Sequence, residues 1–254
     1  MTRKKRRALL CMLAVPLLAL APRSEESLPA SAAEPAAMPE KYVALTFDDG
    51  PWPEITEQLL DGLAERGAKA TFFLIGEQIA GHEDTVRRMK ESGFYTIDMG
   101  LESGDPEMRF KYLRRYQTDE MIINCSKWFH KYGIAQLTYN IIGLPYEDIH
   151  RALKTIKLNA RIKSDRTIPN IFYPYDGTPL YEIAKKAGFL PEGDFTQRRV
   201  PLVQPQFPEE QVLFIEGYFM HFVKRYRLAF ALPRFLGVPY EKWLDHRVCG
   251  KHVP

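Results

Sequence analysis

Two adjacent carboxylates, Asp48 and Asp49, stand at the end of the β-rich run Tyr42 to Phe47 and are followed by Gly50 and Pro51. Acids at a strand end are the residue type that accepts protons and holds cations, although Asp-Asp-Gly-Pro also suits a turn or a helix entry. A second acidic group, Glu102-Ser103-Gly104-Asp105, follows the apolar run that begins at Tyr95. The soft ligands are sparse by comparison. Cys11, Cys125 and Cys249 are too far apart for a disulfide framework or a compact Cys-only metal site. His82 is the only histidine ahead of His130, and His221, His246 and His252 show no ligand spacing.

These residues need elements to hold them. Ile55, Leu59, Leu60 and Leu63 fall on one face of a helix that Gly67 ends. Ala70 to Ile75 reads as a buried strand, and Glu83 to Glu91 as a helix stopped by Gly93. A strand over Tyr95 to Leu101 comes next, then a helix capped by Thr118 with Met121, Cys125, Trp128, Phe129 and Tyr132 on its apolar face. Gly133 ends that helix. Ala135 to Ile142 forms the next strand, a helix buries Ile149, Leu153, Ile156 and Ala160, and Ile168 to Tyr173 is the fifth strand. Pro208 opens a long helix whose Val212, Ile215, Phe219, Phe222 and Tyr226 recur at spacings of three and four. Strands alternating with helices through short joints predict parallel pairing, with the chemistry at the strand carboxyl ends.

Charge is unevenly distributed. Residues 1–32 carry Arg3, Lys4, Lys5, Arg6, Arg7 and Arg23 against Glu25 and Glu26, a net of +4 that leaves the rest of the chain at −1 of the overall +3. That balance gives no case for binding nucleic acid. The apolar run Ala8 to Ala21 is shorter than the roughly 20 residues that span a bilayer and matches a secretory signal peptide, with Ala30-Ser31-Ala32 as a cleavage site. Export to the envelope or beyond is the expectation. Residues 33–40 read as a spacer.

Thr46-Phe47-Asp48-Asp49-Gly50-Pro51, followed by Ala70-Thr71-Phe72-Phe73-Leu74-Ile75-Gly76, resembles the opening of the polysaccharide deacetylases, the NodB-homology family. The resemblance covers about residues 41–93. It implies that Asp48 is the general base that activates water, that Asp49 is a ligand of a zinc-like divalent metal, and that the substrate is an N-acetylated polysaccharide. The family's His-x-x-x-His does not follow: Phe94 to Gly100 contains no histidine.

From residue 95 to about 235 the sequence words are different. Gly100-Leu101-Glu102-Ser103-Gly104, Tyr139-Asn140-Ile141-Ile142-Gly143-Leu144-Pro145 and Phe172-Tyr173-Pro174-Tyr175-Asp176-Gly177-Thr178-Pro179-Leu180-Tyr181 resemble the radical S-adenosylmethionine (SAM) enzymes, closest to their cobalamin-dependent members. The resemblance implies that Glu102 and Ser103 meet the amino acid or ribose part of S-adenosylmethionine, and that Ile142, Gly143, Tyr173 and Pro174 line its adenine. It also implies a four-iron cluster, yet the Cys-x-x-x-Cys-x-x-Cys that would hold one is absent and no iron–sulfur ligands can be named.

The expected fold is an α/β incomplete (β/α) barrel, one open sheet of about five parallel strands with flanking helices and a helical tail. Its divisions are a signal peptide over 1–32, a spacer over 33–40, a deacetylase-like (β/α)2 fragment over 41–93, a radical-SAM-like (β/α)3 fragment over 94–190 and a helical extension over 191–254. The function expected is that of a hybrid lacking a complete active site of either parent. Two alternatives stand beside it: an exported metal-dependent N-deacetylase using Asp48 and Asp49, and a remnant that binds S-adenosylmethionine.

Overall fold

The computed structural model describes residues 43, 45–74 and 82–250. The expected signal peptide and spacer, Cys11 and His252 lie outside them, as does the side chain of Asp49. Five strands appear among the described residues, β1 (Leu45–Gly50), β2 (Ala70–Leu74), β3 (Thr96–Glu102), β4 (Ala135–Ile142) and β5 (Arg166–Ile171). Helices α1 (Pro53–Glu65), α2 (Glu83–Glu91), α3 (Asp119–Lys131) and α4 (Ile149–Arg161) alternate with them. A π-helical turn at Met108–Tyr112 precedes α3, and α5 (Pro179–Lys186), α6 (Glu209–Ala231) and α7 (Arg234–Gly250) complete the chain.

All pairings are parallel, as the short joints demand, and no closed barrel forms among the described residues. The ladder is interrupted where one open sheet was expected. Strands β1 and β2 form one sheet and β3, β4 and β5 another, with no backbone pairing recorded between β2 and β3. Side chains join the two instead. Helix α2 presents fully buried Met89 to a cluster with Leu60 and Phe72, and fully buried Val86 to a cluster with Ile97, Cys125, Phe129 and Ile134. Phe94 touches both clusters and meets Phe72 edge-on at 6.2 Å. Arg88 pairs with Asp61 and Glu57 of α1, while Lys90 Nζ donates to Gly133 O at 2.9 Å beyond α3.

Local rules explain most element ends. Thr118 Oγ1 accepts from Met121 N at 3.2 Å, Asp148 caps α4 through Arg151 N at 2.8 Å, and Thr178 caps α5 through Tyr181 N at 3.2 Å. Pro208 stands at the start of α6. Two apolar faces are narrower than their spacing suggests: Ile55 and Met121 are exposed, and Thr56 with Leu60 faces inward on α1. On α6, Val212, Ile215, Phe219, Val223 and Tyr226 are buried, whereas Phe222 is half-buried beside Phe214 and Tyr218. This stripe packs against α4, Ile142, Leu244 and Val248, which makes it the largest core among the described residues.

Beneath β4 the packing is polar. Thr138 Oγ1 donates to Asn159 Oδ1 at 2.6 Å, and Asn159 Nδ2 donates to Asn140 Oδ1 at 2.7 Å. A low-dielectric interior makes such satisfied ladders specific, because a shifted register leaves several groups unpaired at once.

Candidate functional site

The exits of β3, β4 and β5 lie side by side, since Glu102 is level with Asn140 and Ile142 with Ile171. The residues carried by the radical-enzyme likeness sit at this rim. Glu102 has φ 63° and its carboxylate folds back over Gly100, where a Cβ would lie 2.8 Å from Oε1. Arg115 Nη2 donates to Glu102 Oε1 at 3.2 Å, and Nη1 to Gly100 O at 3.3 Å. Burial raises the Glu102 carboxyl above its ordinary range, and the Arg115 charge opposes that rise.

Ser103 is fully buried, and its polar groups are engaged within the chain. Its carbonyl accepts from Arg109 Nη1 at 2.8 Å and its Oγ accepts from Asp105 N at 3.2 Å. Gly104 N donates to Thr155 Oγ1 at 2.8 Å. The Arg109 side chain is 1% exposed; its Nε donates to Gln117 O at 3.1 Å and its guanidinium pairs with Asp119. Asp105, 2% exposed, accepts from Met108 N, Arg151 and Lys154. Burial pushes its carboxyl up, but these partners outweigh burial and hold it low.

The β4 exit is clamped by two residues the sequence patterns did not single out. Glu147 is fully buried, and its Oε2 accepts from Gly143 N at 2.6 Å and Leu144 N at 3.1 Å. Gln204 Nε2 donates to the carbonyls of Gly143 and Leu144 at 3.3 and 3.0 Å, and its Oε1 accepts from Tyr146 N at 2.9 Å. Gly143 has φ 85°, which suits a residue without Cβ. Ile142 belongs to the main core with no exposed surface. At the β5 exit Pro174 is buried, and half-buried Tyr173 has Tyr175 at 4.8 Å and Phe195 at 6.1 Å between ring centres.

Asp48 is exposed on β1, in the other sheet. Among the described residues no three His, Cys, Asp or Glu side chains group as a metal would require. Zinc at a catalytic centre wants three protein ligands with imidazole or thiolate prominent. The donors on the open side of β3 are instead Asp98, which accepts from Tyr139 Oη at 3.2 Å, and Glu102, held by Arg115. His82 stands exposed at the start of α2, and His130 Nε2 lies 2.8 Å from Ile162 O. This donor set does not fit zinc. A four-iron cluster fares no better, since three thiolates must converge. Cys125 is buried on α3, where burial pushes its thiol up to about 12, and Cys249 sits in a separate cluster with its Sγ 3.6 Å from His150 Nδ1.

The polysaccharide deacetylase family model matches residues 36–125. This stretch is similar to polysaccharide deacetylases. The match runs past Gly93 into α3, further than the sequence words alone extend. A chitooligosaccharide deacetylase of Rhizobium leguminosarum bv. trifolii is 47% identical over 58 residues, 23% of this chain and 27% of that protein. An uncharacterized methyltransferase of Pyrococcus horikoshii is 32% identical over 103 residues, 41% of this chain and 22% of that protein. The chain thus spans about a quarter of the length of each. A radical SAM enzyme stands among the structural neighbours of the chain. Coproporphyrinogen III oxidase of Escherichia coli, described as one, aligns over 63% of this chain and 36% of its own at 18% identity and a TM-score of 0.45. The polysaccharide deacetylase Bc1974 of Bacillus cereus aligns over 62% and 98% at 18% identity and a TM-score of 0.23.

Proposed function

We propose that the chain is a hybrid of a deacetylase-like front, 41–93, and a radical-SAM-like back, 94–190, extended by the helical 191–254, and that it assembles the catalytic centre of neither parent. The observation that carries this reading is the state of the β3 exit. A deacetylase would need imidazoles after its second β/α unit; this chain supplies Asp98 and Glu102, tied to Tyr139 and Arg115. We extend the proposal to location: residues 1–32 act as an export signal, joined by the 33–40 spacer. A chain exported in this way would meet N-acetylated polysaccharide without hydrolysing it.

The test is direct. Purified protein given zinc or cobalt and N-acetylglucosamine oligomers should release no acetate, and under reducing conditions it should not cleave S-adenosylmethionine. Acetate release that disappears in Asp49→Ala would establish the exported metal-dependent deacetylase instead, with Asp48 as base and Asp49 as metal ligand.

A second reading, a remnant that binds S-adenosylmethionine without cleaving it, is favoured by one feature. Glu102 and Tyr173 are the two half-buried members of the residue set, at the exits of β3 and β5 on either side of β4, while Ser103 and Gly143 already spend their polar groups internally. Titration calorimetry with S-adenosylmethionine tests it: heat that is lost in Glu102→Gln supports the remnant, and no heat removes it.

A further inference from the structure

The hairpin of α6 and α7 carries apolar side chains in solvent and separates its charges by sign. Leu228, Phe235, Leu236, Val238 and Trp243 are 49%, 76%, 50%, 41% and 51% exposed. Gly237 brings the two helices together, since a Cβ there would lie 2.4 Å from Ala229 O. The acids of α7 turn inward: Glu241 and Asp245 both bind Lys157 Nζ of α4, at 2.9 and 2.8 Å, and Tyr226 Oη donates to Asp245 at 2.7 Å. The cations turn outward. Arg234, Lys242 and Arg247 are exposed on α7, Lys224 is exposed one turn before Leu228 on α6, and no ion pair is recorded for any of the four among the described residues. Arg247 lies over the Trp243 ring at 5.7 Å, and Trp243 stacks on Tyr240 at 5.8 Å.

We propose that this hairpin face docks on an anionic lipid surface, with Phe235, Leu236 and Trp243 entering the headgroup region and Arg234, Lys242 and Arg247 binding lipid phosphates. Charge decides among occupants. A face with exposed aromatic and aliphatic residues, exposed cations and acids already paired with Lys157 complements an anionic interface, whereas a second copy would bring the same positive charges against it. Neither helix is long and apolar enough to cross a membrane, so the hairpin lies on the surface rather than spanning it. The inference concerns residues 224–247 alone and stands whether or not residues 1–32 direct export.

The experiment uses the full chain with Trp52→Phe and Trp128→Phe, so that emission reports Trp243. It is mixed with vesicles of phosphatidylcholine alone, or of phosphatidylcholine with phosphatidylglycerol, each with and without a brominated acyl chain as quencher. Trp243 emission should shift to the blue and be quenched on the anionic vesicles only, and high salt should reverse this. Changing Arg234→Gln or Lys242→Gln should weaken partitioning about five-fold each. Cosedimentation of the otherwise unaltered chain, with and without Phe235→Ser and Leu236→Ser, repeats the test without the tryptophan changes. Equal response on both vesicle types overturns the proposal, as does vesicle binding without quenching of Trp243, which would assign the contact to another segment. A lipid-independent blue shift that grows with protein concentration, with dimer mass in sedimentation, overturns it in favour of a second copy.

Discussion

The β1–α1–β2 unit and the β3-to-β5 units follow one chain plan, parallel strands with helices between them, yet they bury their residues differently. In the back, β4 alternates between buried and half-buried side chains almost throughout, with α4 and α6 beneath it. In the front, Leu45 and Phe73 of the strands and Trp52 and Ile55 at α1 are all exposed, and among the described residues the buried apolar cluster consists of Leu60, Phe72 and Met89. Parallel strands are stable when both faces are covered. The back gains its cover from the helical tail, and the front borrows part of its core from α2, which it shares with the back.

The contrast is sharpest at close backbone approaches, and the largest effect is expected there. A Cβ on Gly104 would lie 2.4 Å from Lys154 O and Thr155 Cα, both backbone of α4. Gly104→Ala must therefore push α4 off the β3 exit, at a cost of about 3–5 kcal/mol. Urea denaturation monitored in the back should show that loss; a change below about 1 kcal/mol would mean the back is far more pliable than its packing implies.

Met89→Ala separates the two regions more finely. It empties a site with no exposure in the front cluster, at about 2–4 kcal/mol, and leaves Val86 on the back cluster in place. Amide exchange should accelerate in β1 and β2 well before β3 to β5. Equal acceleration everywhere would show that α2 welds both halves into one cooperative unit.

Much of the fold was legible because it rests on local rules. Thr118 reads as a cap from its type and the apolar run after it, and Gly93 and Gly133 read as stops because their φ values of 92° and 64° favour glycine. Ile55 misled because helical spacing groups it with Leu59 and Leu63, and those two do pack against the cluster of Leu60, Phe72 and Met89 while Ile55 is left exposed. The interruption between β2 and β3 was illegible too, since pairing depends on backbone placement that side-chain periodicity does not encode. At the site, the strand exits were readable from their motifs. What braces them was not: Arg109 sits in a π-helical turn and Gln204 reaches a turn some sixty residues earlier from a segment without periodicity. Glu147 left one signal, an acid four residues after a glycine-containing turn, the spacing at which a carboxylate can collect the turn's N–H groups.

Glu147 also gives the two regions different responses to pH. Burial lifts its carboxyl from the ordinary 4.5 to about 8 against the pull of the Gly143 and Leu144 N–H groups, with Asp148 and Asp105 adding to the rise. The folded chain therefore holds this proton where the unfolded chain has released it, so the associated stability is full below about 4.5 and is lost as pH rises toward 8. Back-half stability should fall steadily over that interval, and Glu147→Gln should flatten the slope. Chemical denaturation at stepped pH, with exchange resolving β4 from β1, checks both. A slope that survives the substitution would assign it to another group.

The smallest expected effect is the most pointed test of the contrast. Ile55 is 66% exposed on α1, so its apolar surface gains little on folding and Ile55→Ser should change stability by less than about 0.5 kcal/mol. The buried neighbour Leu60, by contrast, should cost about 2–4 kcal/mol as Leu60→Ala. A ratio near unity between the two would mean that the exposed side of α1 is covered in solution, and that the front is half-built only when the described residues stand alone. Repeating the pair at several protein concentrations identifies the cover: an Ile55→Ser effect that grows with concentration points to a second copy, and one that does not points to another segment of the same chain.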